Sequence, residues 1–232
     1  MNIHKLCIYA GPLSFVCFTI AMAGTGFTLP LSSTLSAAEV VAYYQEHLVG
    51  IRVAALLLLF CGTFMVAFAI AIARQMQQIE GGVTPWILMQ VAGGILGNLP
   101  FILTAIIWTT AALRLERPPE ITQSINDLSW FTLELPGPSA TLQFLAIAAA
   151  VFGDKSANPS LPRWVGYVNI LATLAFLPGA AGGVLGGLKV MDWNGAVSYW
   201  LPGIASASWV WLMFAALLRA DRITTKNALE TV

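Results

Sequence analysis

The sequence predicts an all-α membrane protein, a bundle of six transmembrane helices several of which are kinked by proline. Three observations lead there. Of the 232 residues, 58% are apolar and 9% charged, and the mean hydropathy is +0.78, a balance that no water-soluble domain of this length could carry on its surface. Runs of about twenty apolar residues, the length that crosses a hydrocarbon core, recur along the whole chain. Proline then breaks four of these runs, at Leu99-Pro100 and in the repeats Leu135-Pro136-Gly137, Leu177-Pro178-Gly179 and Leu201-Pro202-Gly203. Each such break removes an amide donor and clashes with the preceding turn, at roughly 3 kcal/mol in an ordinary helix, so several together imply space between the helices. That space reads as a cavity within the bilayer.

Taken in order, the expected spans are residues 6–27, 52–73, 85–113, 122–152, 164–188 and 195–218, within one integral membrane domain covering residues 1–232. The first follows Lys5 and contains Ala21-Met22-Ala23, a pattern compatible with signal-peptide cleavage, yet it is long enough to span and is expected to be kept as a membrane helix. Lys5, Arg74, Lys155, Arg163, Arg219, Arg222 and Lys226 fall on one side, and Arg52, Arg114, Arg117 and Lys189 on the other. This bias predicts that both termini are cytoplasmic. Arg52 reads as a snorkelling residue at the outer interface.

Between the first two spans, Ser36-Ala37-Ala38-Glu39 is a capping-box pattern that should start a short helix running to Leu48. Val40, Val41, Tyr44 and Leu48 recur at helical spacing. The helix is therefore expected along the outer interface, with its tyrosines at headgroup depth, either covering the mouth of the cavity or serving as a plain connector. In the fifth span Gly179, Gly182, Gly183, Gly186 and Gly187 suit close helix packing. Depth counting puts Pro100, Pro136 and Pro178 near mid-span and Pro202 nearer the outer face.

Composition also narrows the chemistry. Formal net charge is zero and no basic cluster is present, which excludes nucleic acid and polybasic lipid patches as partners. Cys7, Cys17 and Cys61 sit in apolar runs without metal-ligand spacing, and His4 and His47 are the only histidines, so no metal or other cofactor is expected. No Ser/His/Asp arrangement, phosphate-cradling glycine loop or Asp-rich diphosphate motif is present.

Two carboxylates remain, Asp127 and Glu134, seven residues apart on one face of the fourth span. Counting from Thr122 puts Glu134 about 18 Å deep, where a charge costs at least about 2.5 kcal/mol and must be paired, hydrated or neutralised. Pro136 and Pro138 should end the helix beside it, with a second half-helix starting near Ser139. Asn98 lies at similar depth beside Pro100, able either to hydrogen-bond Glu134 or to join two helices. Eight tryptophans are present. Trp86, Trp164 and Trp193 suit interfacial belts, while Trp108, Trp130, Trp200 and Trp209 fall inside the kinked spans and can wall a pocket for a polycyclic or isoprenoid ligand.

Asn126-Asp127-Leu128-Ser129-Trp130 and Pro162-Arg163-Trp164-Val165-Gly166-Tyr167, within six short spans, resemble a group of uncharacterised small bacterial six-span membrane proteins. In general design, though not in motif, the chain is similar to integral-membrane terpene cyclases, which use buried acids in an aromatic pocket. The resulting expectation is a cofactor-independent intramembrane acid catalyst, cyclising or isomerising an isoprenoid. In it Glu134 is the general acid, Asp127 its partner, Asn98 an orienting donor, and Trp108, Trp130, Trp200, Trp209 and Tyr44 contact the substrate. Two alternatives stay open, a non-enzymatic binder or carrier of a lipid or steroid and a small accessory membrane subunit.

Overall fold

The structure, a computed structural model, describes residues 3–24, 26, 30–182 and 189–230. Its helices are α1 (Ile3–Gly24), α2 (Ala37–Glu46), α3 (Leu48–Glu80), α4 (Pro85–Ala111), α5 (Pro119–Glu134), α6 (Gly137–Gly153), α7 (Arg163–Phe176), the single turn α8 (Gly179–Gly182) and α9 (Leu201–Glu230). A 3₁₀ turn at Lys189–Met191 and a π-helical turn at Ala196–Trp200 lead into α9. Among the described residues there is no strand, and five helical stretches are long and apolar enough to cross a membrane: Ile3–Gly24, Leu48–Glu80, Pro85–Ala111, Pro119–Gly153 and Lys189–Thr224. These mark a membrane protein. The expected fifth span, 164–188, is seen as α7 and α8, and its Gly183, Gly186 and Gly187 lie outside the described residues.

Long-range contacts sort the helix ends into two groups. At one end Lys5 meets Asp221 at 3.6 Å, Gln75 Nε2 donates to Ser160 Oγ at 2.9 Å, and Thr224 Oγ1 to Gln78 Oε1 at 3.4 Å. At the other, Trp193 Nε1 donates to the Leu31 carbonyl at 2.7 Å, Ser33 Oγ to Asp192 at 3.2 Å, and Gln123 Nε2 to the Leu35 carbonyl at 2.8 Å. Arg52 does more than snorkel: its guanidinium donates to the Ala112 carbonyl at 3.2 Å, satisfying an acceptor at the end of α4. The 33 residues of α3 make a rod of about 50 Å, so residues 52–73 are only its central part.

Each end has its own apolar core. At the first, Phe68, Phe144, Trp209 and Met213 pack together, with the Trp209 ring 5.2 Å from Phe144 and its Nε1 donating to Asn169 Oδ1 at 2.9 Å. At the second, Tyr44, Leu58, Trp108 and Trp130 are fully buried. Here the apolar stripe of α2 faces protein. The capping box forms, Glu39 bonding the Ser36 amide at 2.8 Å, but Val40, Val41 and Tyr44 are buried against protein. An amphipathic stripe looks alike whether it meets lipid or protein, and here α5 and Leu31 receive it.

Helices α4 and α6 touch closely through glycine. A Cβ on Gly93 would fall 2.5 Å from the Gln143 amide nitrogen, and one on Gly97 would fall 2.8 Å from the Ala140 Cβ. This G-x-x-x-G face lets the two backbones approach to within reach of each other's main chain.

Candidate functional site

Proline fixes where the site opens. Pro136 cannot donate to the Thr132 carbonyl and Pro138 cannot donate to that of Glu134, so the ladder stops and α5 ends at Glu134. The new helix begins at Gly137, two residues earlier than Ser139, because Pro138 occupies its first turn, where a missing amide costs nothing. The Ser139 amide and hydroxyl both bond the Pro136 carbonyl, at 2.8 and 2.6 Å. Pro178 likewise separates α7 from α8. Ahead of Pro202 the backbone widens into the π turn, in which the Leu201 amide reaches Ala196.

The three Leu-Pro-Gly repeats converge in space. A Cβ on Gly137 would stand 3.2 Å from the Phe176 carbonyl oxygen, and one on Gly179 would stand 3.5 Å from the Glu134 carbonyl oxygen and 3.9 Å from that of Ser198. The break at Pro202, expected nearer the outer face, is thus drawn against the other two.

Beside this junction lies a cavity of about 430 Å³. Six aromatic side chains line it, Phe15, Phe18, Phe101, Phe176, Tyr199 and Trp200, together with Glu134 and Asn98. Helices α1 and α9 pack edge to face at one end, Tyr9 on Phe214 at 5.3 Å and Phe15 on Trp211 at 6.2 Å. Beyond Phe15 they part. Thr19 and Ala23 on α1 and Trp200, Gly203 and Ile204 across from them all line the cavity and are all solvent-accessible, so its open side, among the described residues, faces sideways between α1 and α9.

Glu134 is half-buried in the cavity wall and has no hydrogen-bond or ion-pair partner among the described residues. Tyr199 stands within electrostatic reach of it. The expected partners make their hydrogen bonds away from the carboxyl. Asp127 does not line the cavity; it accepts from Asn126 Nδ2 at 3.2 Å. Asn98 does line it, but its amide donates to the Gly94 carbonyl of its own helix at 2.6 Å. Residues seven apart share a face, yet two turns of helix separate them by about 10 Å, enough to leave the half-buried Asp127 outside the cavity and Glu134 at the break.

Of the five aromatic residues proposed to contact substrate, Trp200 lines the cavity and the other four do not. Trp108 donates to Ser129 Oγ at 2.9 Å and meets the Trp130 ring edge to face at 5.6 Å. Tyr44 donates to Asn126 Oδ1 at 3.2 Å, and its burial pushes the hydroxyl well above its ordinary pKa. Trp209 belongs to the opposite core. Trp193, expected in an interfacial belt, is buried as well. Asn126 to Trp130 is thus a polar and aromatic joint between α2, α4 and α5.

Sequence reading missed the contribution of α1 and the phenylalanines. A signal existed: Phe15, Phe18, Thr19, Met22 and Ala23 follow helical spacing, as do Gly203, Ser206, Ala207 and Val210 on α9. Both stripes look like ordinary packing faces. The chain matches no family model, no curated protein and no solved structure.

Proposed function

We propose that this is a multi-pass membrane protein that takes a lipophilic molecule sideways from the bilayer into the cavity at Glu134. A single observation carries the reading: a carboxyl without a partner among the described residues stands in an aromatic cavity whose open side faces between two apolar helices. Burying a carboxyl without a partner is costly, and a bound ligand would supply the missing contact.

Six crossings support this reading better than five. Ser160 lies at one end of the bundle, against Gln75, and Asp192 at the other, against Ser33, which favours a further crossing by the stretch that holds α7 and α8. With both termini then at one end, the basic bias makes that end cytoplasmic, and α2 lies at the outer end.

The test is to purify the protein in mild detergent, extract it and identify bound lipophile by mass spectrometry, beside an Ala207→Trp variant that fills the cavity. Stoichiometric ligand in the wild type and none in the variant is expected; an empty wild-type protein refutes the reading. A second reading, acid catalysis on an isoprenoid, is favoured by Glu134 standing among six rings able to stabilise a carbocation. It requires Glu134→Gln to keep bound substrate while losing its conversion.

A further inference from the structure

We propose that the ligand of this cavity is a lipophilic organic cation, an amine or quaternary ammonium whose charge sits against Glu134. The inference rests on the binding reading above and adds the charge of the ligand. It stands on what the cavity offers and what it lacks.

Among the described lining residues Glu134 is the only carboxylic acid, the other titratable ones being Cys61 and Tyr199. Lysine, arginine and histidine are absent from the lining among the described residues, so an anionic lipid would meet the carboxyl with no basic group beside it. Several lining donors are already used within the protein. Ser14 Oγ donates to the Cys61 carbonyl at 3.0 Å, Thr19 Oγ1 to that of Phe15 at 2.9 Å, and Asn98 Nδ2 to that of Gly94 at 2.6 Å.

At the junction beside the cavity two main-chain carbonyls lose their helical donors. The carbonyls of Glu134 and Ser198 each lack the amide four residues on, because Pro138 and Pro202 stand there, and both carbonyls lie beside Gly179. Aromatic rings complete the picture, since their faces carry negative potential and attract cations most strongly where water is excluded. Carboxylate and ring faces act in the same direction, favouring positive charge. A hydrocarbon-bearing cation would satisfy Glu134 and reach it through the lipid-facing opening.

The experiment uses the purified full chain in an uncharged detergent and two probes of one shape, benzyltrimethylammonium and its uncharged carbon isostere neopentylbenzene. Binding of each is measured by calorimetry to the wild type, Glu134→Gln and Glu134→Asp, with thermal unfolding showing that the variants fold. The expected result is at least tenfold tighter binding of the ammonium than of the isostere by the wild type. That preference should vanish in Glu134→Gln and survive in part in Glu134→Asp. Equal binding of the two probes by the wild type overturns the inference, as does a preference that survives Glu134→Gln. If the isostere binds and the ammonium does not, the charge assignment fails while the lipophile-binding reading stands; if neither binds, both fail.

Discussion

Replacing Gly93 by alanine should loosen the bundle at the point that seats the cavity's central helix. The added Cβ would lie 2.5 Å from the Gln143 amide nitrogen and 3.1 Å from both the Gln143 Cα and the Leu142 carbonyl carbon. These are backbone atoms, which cannot swing away, so α4 and α6 must separate by about 1 Å to reach ordinary contact near 3.5 Å. A gap of that size forfeits a quarter to a half of each dispersion contact along the seam, and overpacking of this kind costs about 1–3 kcal/mol. Alanine also returns about 1 kcal/mol of helix propensity. Gly203→Ala removes that ambiguity, because Gly203 is also helical and a Cβ there meets nothing within 4 Å. Unfolding both variants by titration with a denaturing detergent gives the difference directly, expected at about 1–3 kcal/mol with Gly93→Ala the less stable. Two variants of equal stability would refute the close α4–α6 approach.

Other consequences can be checked in the same preparation. Trp108→Phe removes the bond to Ser129 Oγ and should cost about 1 kcal/mol in the same titration, in line with hydrogen bonds inside membrane proteins. Glu39 is held below the usual carboxylate range by the Ser36 hydroxyl and amide, so its support for α2 is present above the unfolded pKa and lost as pH falls through the folded one. The protection of α2 amides against exchange, taken relative to the intrinsic rate at each pH, should accordingly fall on acidification, and Glu39→Gln should flatten that fall; an unchanged pH profile would exclude the capping contribution. Tyr44→Phe leaves Asn126 Oδ1 without its donor and should destabilise by about 1 kcal/mol while leaving the amount of bound lipophile unchanged, since Tyr44 does not line the cavity.

Glu134 and the break at Pro136 were readable in advance because each violates a strong rule, an ionisable group and a missing donor inside an apolar helix. Asn98 and Trp200 reach the cavity wall for related reasons, one polar and one beside a proline. Trp108, Trp130, Trp209 and Tyr44 violate nothing. A tryptophan within an apolar span fits lipid, core and cavity equally well, and only its neighbours choose between them. Trp209 was directed to the core by Asn169, forty residues away in sequence, and Tyr44 by Asn126, eighty-two away.

Local chemistry therefore determined what each stretch of chain must be: apolar runs long enough to cross a bilayer, a capped short helix at Ser36, and helices that stop where proline withholds its amide. These follow from backbone hydrogen bonding, which a sequence expresses residue by residue. Tertiary structure alone decided that the three Leu-Pro-Gly breaks meet, that α1 walls the cavity, and that Asp127 stays out of the cavity that Glu134 lines. In a chain apolar on nearly every face the polar and apolar pattern no longer tells inside from outside, so which face meets lipid, protein or empty space is settled by how the helices pack.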